Sequence, residues 1–246
     1  MIYKRNEMNK KGIEQTFSQA RRNLLRISPL VFLTGCDMTS SGGVDSFLHL
    51  FQQFNDWVQS KVFDPTKLSP ELADEELTAE EDFRLNSYST DEPEIDLAEW
   101  RLEVEGMVQK PGSYTLQQIA SLPKKIMNTK HCCVEGWSIN VKWGGSSLRS
   151  FLEFVGADLN ARYIHARCGD DYYTTYDMPS ALHPQTLLCY EAYSKPLALG
   201  HGAPVRITIP TKLGYKSAKW VSKLIITNKK MGGYWEDQGY DWFAGL

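Results

Sequence analysis

No stretch of this 246-residue sequence approaches the ~20 consecutive apolar residues that a membrane-spanning helix requires. Cysteine is scarce and oddly spaced. The five, at positions 36, 132, 133, 168 and 189, contain no CxxC pair, so neither a disulfide framework nor a paired-cysteine zinc site is indicated. A CxxCH haem-attachment motif is missing, and no GxGxxG follows a strand pattern, which leaves a nicotinamide domain without support. Internal repeats and low-complexity tracts are also missing. There is no basic excess either: Lys and Arg number 27 against 30 Asp and Glu, a net charge of −3, which argues against a nucleic-acid partner.

What is present is an ordinary globular composition with uneven charge. Hydrophobic residues make up 42% of the chain, enough for a packed core. Asp64 to Glu105 holds 15 acidic residues against Lys67, Arg84 and Arg101. Between Glu191 and Glu236 there is no acidic residue, yet there are 8 Lys or Arg. So basic a stretch in an acidic protein suggests a bound anion or a solvated basic face.

The first 36 residues read as an address. Arg21 and Arg22 precede Asn23, Leu24 and Leu25, and a short apolar run follows from Ile27 to Thr34, interrupted by Pro29. The paired arginines resemble a twin-arginine export signal, and Leu33-Thr34-Gly35-Cys36 resembles a lipobox, in which the cysteine is lipidated. The alternative is a basic helix that happens to end at a cysteine. The export reading implies a bacterial periplasmic protein held peripherally to the membrane by lipid on Cys36. Losing residues 1–35 would remove 7 of the 27 basic and 2 of the 30 acidic residues, leaving a clearly acidic mature chain.

Residues 37–82 read as a tether, a helix and an acidic linker. Phe47, Leu48, Phe51, Phe54 and Val58 recur at helical spacing within Val44 to Ser60, and Pro65 and Pro70 interrupt the chain beyond. The catalytic domain is expected over 83–246. Trp100 to Glu105 alternates as a half-buried strand does, and Pro111-Gly112 supplies a turn. Ser147 can cap a helix with Leu148, Phe151, Leu152 and Val155 on one face. Arg162 to Arg167, Thr186 to Tyr190, Val205 to Ile209 and Val221 to Thr227 read as strands. Strands outnumber helices without a βαβ rhythm, so the expected class is α+β with mixed sheets.

Two constellations carry chemistry. In His131-Cys132-Cys133-Val134-Glu135-Gly136-Trp137-Ser138, a cysteine enters a loop beside Lys130 and His131, an electropositive setting that favours thiolate. One soft thiolate suffices for a high-valent metal when an organic dithiolene supplies further sulfurs. A buried structural cysteine, a vicinal disulfide or a two-Cys-plus-His site fits the same residues. In the basic stretch, His201-Gly202-Ala203-Pro204-Val205-Arg206 puts a guanidinium on a strand, able to hold a phosphate bidentately. Gly214 and Ser217 allow backbone N–H groups near an anion. The alternative pairs Arg206 with a carboxylate such as Glu191.

Together these motifs resemble the molybdopterin-binding domain of the sulfite oxidase family, from about Phe83 to Trp242. Cys-Val-Glu-Gly-Trp-Ser at 133–138 is similar to the metal-binding motif of periplasmic methionine-sulfoxide reductase catalytic subunits. His-Gly-Ala-Pro-Val-Arg at 201–206 and Ser-Ala-Lys-Trp at 217–220 resemble two cofactor motifs shared with sulfite oxidases, and Leu182 to Leu188 fits the family's central segment. The resemblance implies a sulfite oxidase-type fold and molybdenum–molybdopterin (Mo-MPT) bound through two dithiolene sulfurs and Cys133, the metal and catalytic ligand. It implies cofactor contacts from Asn86, Ser89, Thr90, Cys168, His201, Arg206, Ser217, Ala218 and Lys219. It further implies oxygen-atom transfer to or from a small substrate, with electrons exchanged through a haem protein such as a membrane cytochrome b. A sulfite-type oxidase and a non-catalytic pterin-binding lipoprotein are the rivals.

The sequence departs from the pattern in places. Cys168 stands where the reductases carry Thr, His201 where they carry Asn, and Cys132 where they carry Arg. Glu135 and Trp137 occupy the region in which sulfite oxidases place a substrate-side arginine.

Overall fold

The protein is described by a computed structural model over residues 42–89 and 92–246. The paired arginines, Cys36 and Thr90 lie outside the described residues. The chain divides into two compact units, 1–55 and 56–246, and both sheets and the cleft belong to the second. Helix α1 (Gly42–Val62) extends slightly beyond the span expected from its apolar spacing.

Among the described residues ten strands follow: β1 (Leu102–Gly106), β2 (Gly112–Tyr114), β3 (Lys124–Cys132), β4 (Ser138–Ser147), β5 (Tyr163–Cys168), β6 (Tyr173–Asp177), β7 (Leu187–Ala192), β8 (Lys195–Pro196), β9 (Arg206–Thr208) and β10 (Val221–Thr227). Short helices α2 (Leu116–Ala120), α3 (Leu148–Phe154) and α4 (Met178–Ala181) punctuate them. One sheet has the order β2-β1-β10-β5-β6, with β1 and β10 parallel and the other pairs antiparallel. The second runs β3-β4-β7-β8, with β9 also on β7, and is antiparallel throughout. The fold is therefore α+β with one mixed sheet.

The strands expected around Trp100, Arg162, Thr186, Val205 and Val221 all form, and Ser147 caps α3 by accepting from Ser150 N–H at 3.0 Å. Leu148, Phe151, Leu152 and Val155 then pack with Leu102, Val104, Ile164 and Leu224 in the main core. The long β3–β4 hairpin is less legible in the sequence than these strands. In β4, the run from Gly144 to Ser147 is fully buried but made of small residues, so it gives no alternating signal.

The acidic stretch is not a free linker. Leu72 N–H donates to Asn128 O at 3.0 Å, and Thr78 N–H donates to Asn140 O at 2.9 Å. Asp74 pairs with Lys142, and Glu80 with Lys195. These contacts lay residues 72–78 along the β3–β4 hairpin and tie Glu80 to β8. The segment delivers Phe83 to Tyr88 to the cleft described below.

One buried cation has no hydrogen-bond acceptor. Lys212 Nζ lies 3.7 Å from Asp177 and over the rings of Phe63 and Phe243. Burial, only partly offset by Asp177, lowers its pKa from 10.5 to about 7. The folded chain therefore holds fewer protons than the unfolded one between these values. Stability contributed by Lys212 is complete above pH 10.5 and is lost as pH falls through 7. Thermal melts should show Lys212→Met removing up to about 1.4 kcal/mol per pH unit of the rise in stability between pH 7 and 10. An unchanged slope would contradict the assignment.

Candidate active site

The β3–β4 hairpin sets the position of Cys133. Its turn closes with Cys133 N–H donating to Trp137 O at 2.9 Å and Gly136 N–H donating to Cys133 O at 3.1 Å. Gly136 has a φ of +90°, which favours glycine. The thiol thus projects from a rigid turn into a cleft. Facing it is the irregular segment from Phe83 to Tyr88, whose Asn86 Nδ2 donates to Cys133 Sγ at 3.7 Å.

The floor of the cleft comes from β9 and the turn before β10. Arg206 is only 5% exposed. It donates to His201 O at 2.9 Å and to Ser217 O at 3.2 Å, and its guanidinium lies 4.9 Å from the Trp143 ring centroid. Its Nε has no partner, and among the described residues no carboxylate pairs with it. Glu191, the alternative suggested by the sequence, pairs instead with Lys124 at 2.6 Å. Lys219 donates to Ser87 Oγ and to Gly200 O. Burial, with Arg206 adding repulsion, lowers Lys219 to about 8. His201 falls to about 4 and His131 to about 3 for the same two reasons, so both rings are neutral at pH 7. His201 is held by stacking on Phe83, centroids 3.6 Å apart and planes 3° from parallel.

The cleft brings together Asn86, Cys133, His201, Arg206, Ser217, Ala218 and Lys219. Ser89 follows Tyr88 but does not line it, and Thr90 cannot be placed. Cys168 is buried in β5 outside the lining, where burial holds its thiol well above the ordinary range.

Two local expectations need correction. Cys133 is not electrostatically poised as a thiolate, because burial, reinforced by Glu135, raises its pKa despite backbone N–H groups and Asn86 acting the other way. Nor does Gly214 to Ser217 form an open phosphate nest. It is a 3-10 turn in which Ser217 N–H is spent on Gly214 O at 2.9 Å. Gly214 is needed for a different reason: a Cβ there would stand 2.8 Å from His131 Nε2.

Sequence reasoning missed much of the wall. Tyr88 donates to Asp170 O, Tyr172 donates to Tyr215 O at 2.6 Å, and Trp235 and Tyr240 complete an aromatic side. At the mouth, Trp137 Nε1 donates to Glu135 Oε2 at 2.8 Å while Arg84 lies 4.9 Å from the Trp137 ring centroid. The one sequence signal for Arg84 was that it is a lone basic residue within the acidic stretch.

A buried guanidinium with an unpartnered nitrogen calls for an acceptor, and a phosphate provides several. Neutral imidazoles, a half-buried lysine and an accessible thiol beside an amide suit the polar head of a pterin phosphate and a thiophilic metal. The donor set fits such a group.

The chain belongs to the family described as the oxidoreductase molybdopterin binding domain, which matches residues 89–235. It is thus a molybdopterin-dependent oxidoreductase. It is 44% identical over 232 residues to the "Putative protein-methionine-sulfoxide reductase subunit YedZ1" of Azospira oryzae, covering 92% of this chain and 88% of that one. It is 30% identical over 209 residues to the protein-methionine-sulfoxide reductase catalytic subunit MsrP of Campylobacter jejuni, covering 74% and 69%. The fold is also similar to the sulfane dehydrogenase SoxCD of Paracoccus pantotrophus, with a TM-score of 0.52 at 21% identity, over 55% of this chain and 40% of that one.

Cys133 lines the cleft and Cys132 does not. Substituting Cys133→Ser should abolish turnover and change the visible spectrum of the metal, whereas Cys132→Ser should leave that spectrum in place. Exchange of the two outcomes would move the ligand to Cys132.

Proposed function

We propose that this chain is an exported, lipid-anchored reductase that removes oxygen from a sulfoxide of the methionine-sulfoxide type. Its electrons come from a partner haem protein, with a membrane cytochrome b the leading candidate. The observation that carries the reading is the meeting of Cys133, Asn86, Lys219 and the unpaired Arg206 in one cleft. The names borne by the two relatives support the substrate class, and their word "subunit" supports an external electron source.

In this reading Cys133 holds the metal, and Arg206, Lys219, His201, Ser217 and Ala218 hold the pterin and its phosphate, with Asn86 beside the sulfur. Ser89 and Thr90 would add contacts. When bound, the molybdenum–molybdopterin group supplies the two-electron oxygen-atom chemistry. Overall, a sulfoxide, two electrons and two protons give a thioether and water. The chain's own part is to orient and exclude water. Glu135 fixes the Trp137 indole, and Trp137, Tyr172 and Trp235 offer apolar surface to a thioether while limiting solvent. Arg21-Arg22 and Leu33 to Cys36 support export and anchoring, since a route for folded proteins suits a cofactor inserted beforehand.

One observation favours a second reading. Arg84 places a cation at the mouth, as an anionic substrate such as sulfite would require. Assays with a reduced viologen and methionine sulfoxide, and with ferricyanide and sulfite, separate the two. We expect sulfoxide turnover. Turnover of sulfite alone would favour the oxidase, and none with cofactor bound would favour a carrier. Arg206→Met should cut bound pterin and sulfoxide turnover by ~10–100-fold. It should not lower the melting temperature of the cofactor-free chain, because it removes a buried, unpaired charge. A folded variant with full cofactor would contradict the role of Arg206.

A further inference from the structure

One cation of the cleft has no task in holding the cofactor. Among the described residues three Lys or Arg side chains line the cleft: Arg84, Arg206 and Lys219. Arg206 and Lys219 belong to the floor and face the pterin and its phosphate in the proposed function. Arg84 stands apart at the mouth, on the entry segment from Phe83 to Tyr88. Its guanidinium carbon lies 4.9 Å from the Trp137 ring centroid, and Glu135 Oε2 fixes that indole by accepting from Nε1 at 2.8 Å. Trp137 in turn belongs to the turn of Cys133, whose N–H donates to Trp137 O at 2.9 Å. Two residues after Arg84, Asn86 Nδ2 donates to Cys133 Sγ at 3.7 Å. Both attachments lead back to the sulfur, so Arg84 is held on the stretch of rim beside it.

Stacking on a ring occupies the face of a guanidinium and leaves its edge of N–H donors to a ligand. Among the described residues no carboxylate pairs with Arg84, although it lies in the most acidic part of the chain. Asp74 and Glu80 of the same stretch pair with Lys142 and Lys195 instead. A planar edge of donors matches a carboxylate with two parallel hydrogen bonds. In methionine sulfoxide only three carbons separate the sulfur from the carboxylate carbon, so one small molecule can reach from the Cys133 side of the cleft to its mouth.

We infer that Arg84 is a specificity residue: it binds a carboxylate on the substrate and so favours sulfoxides that carry one close to the sulfur. This assignment rests on the sulfoxide reading and deepens it, and it gives the cation at the mouth a role without sulfite. With the cofactor-loaded full chain, KM and kcat are compared for N-acetylmethionine sulfoxide, a carboxylate, and for its uncharged amide. The acid should have a KM lower by about fivefold at similar kcat, a modest factor because Arg84 is exposed and the pair is screened. Arg84→Gln should erase the difference by raising KM for the acid alone, and Arg84→Lys should keep part of it.

A capped, amidated dipeptide of methionine sulfoxide and glutamate moves the carboxylate to a neighbouring residue. Given the preference for the acid, a peptide KM matching the acid's extends the role of Arg84 to acidic peptides, and one matching the amide's confines it to the α-carboxylate. Equal KM for acid and amide in the parent, or a difference that survives Arg84→Gln, would overturn the assignment. Equal losses for both substrates in Arg84→Gln would overturn it too, by making Arg84 a prop for Trp137. Calorimetric binding of N-acetylmethionine sulfone and of its amide separates this assignment from the reductase reading. Selective binding of the sulfone acid without any sulfoxide turnover would remove the reductase and keep the Arg84 site. Turnover of both sulfoxides without discrimination would keep the reductase and remove the Arg84 site. Neither binding nor turnover would remove both.

Discussion

A guanidinium buried without a carboxylate is the constraint around which this cleft is organised. Withdrawing Arg206 from water costs several kcal/mol, and two carbonyl acceptors and the Trp143 ring offset only part of that cost. Its pKa falls to about 10, low for arginine yet still charged at pH 7, because burial outweighs the favourable field of nearby groups. The charge therefore persists with one nitrogen unsatisfied. Its field helps keep His131 and His201 neutral and presses down on Lys219. An anion in the cleft would relieve all of these at once.

Geometry brings the second half of the site to the same place. Strand β9 lies on β7, β7 on β4, and β4 is one arm of the hairpin whose turn carries Cys133. The register of one antiparallel sheet thus fixes the distance between the thiol and the cation. The remaining wall is not regular structure. It is the run from Phe83 to Tyr88, held by ring stacking on His201, the Asn86 contact to Cys133 and the Ser87 contact to Lys219. Its approach is held in turn by the acidic stretch, whose carboxylates pair with Lys142 and Lys195.

The sequence was most legible where periodicity or a short motif acts locally. The amphipathic strands β1, β5 and β10 and the cap at Ser147 follow from side-chain alternation and hydroxyl chemistry. Asn86, Cys133, His201, Arg206 and Lys219 converge although 133 residues separate the first from the last, which family motifs can signal and local patterns cannot. The aromatic wall was invisible for the same reason. Tyr88, Tyr172 and Trp235 look like core residues until the fold brings them together. Cys168, placed by its spacing from Cys133, lies buried on β5 outside the lining of the cleft. The Cys133 thiolate expectation does not hold because burial of the sulfur, rather than the charge of Lys130 or the neutral His131 ring, sets the direction.

The most direct test is elemental and pterin analysis of the protein made with its leader in a molybdenum-replete host. The account predicts molybdenum and pterin, each equimolar with the chain. Protein carrying neither, or carrying zinc or copper in their place, would contradict it.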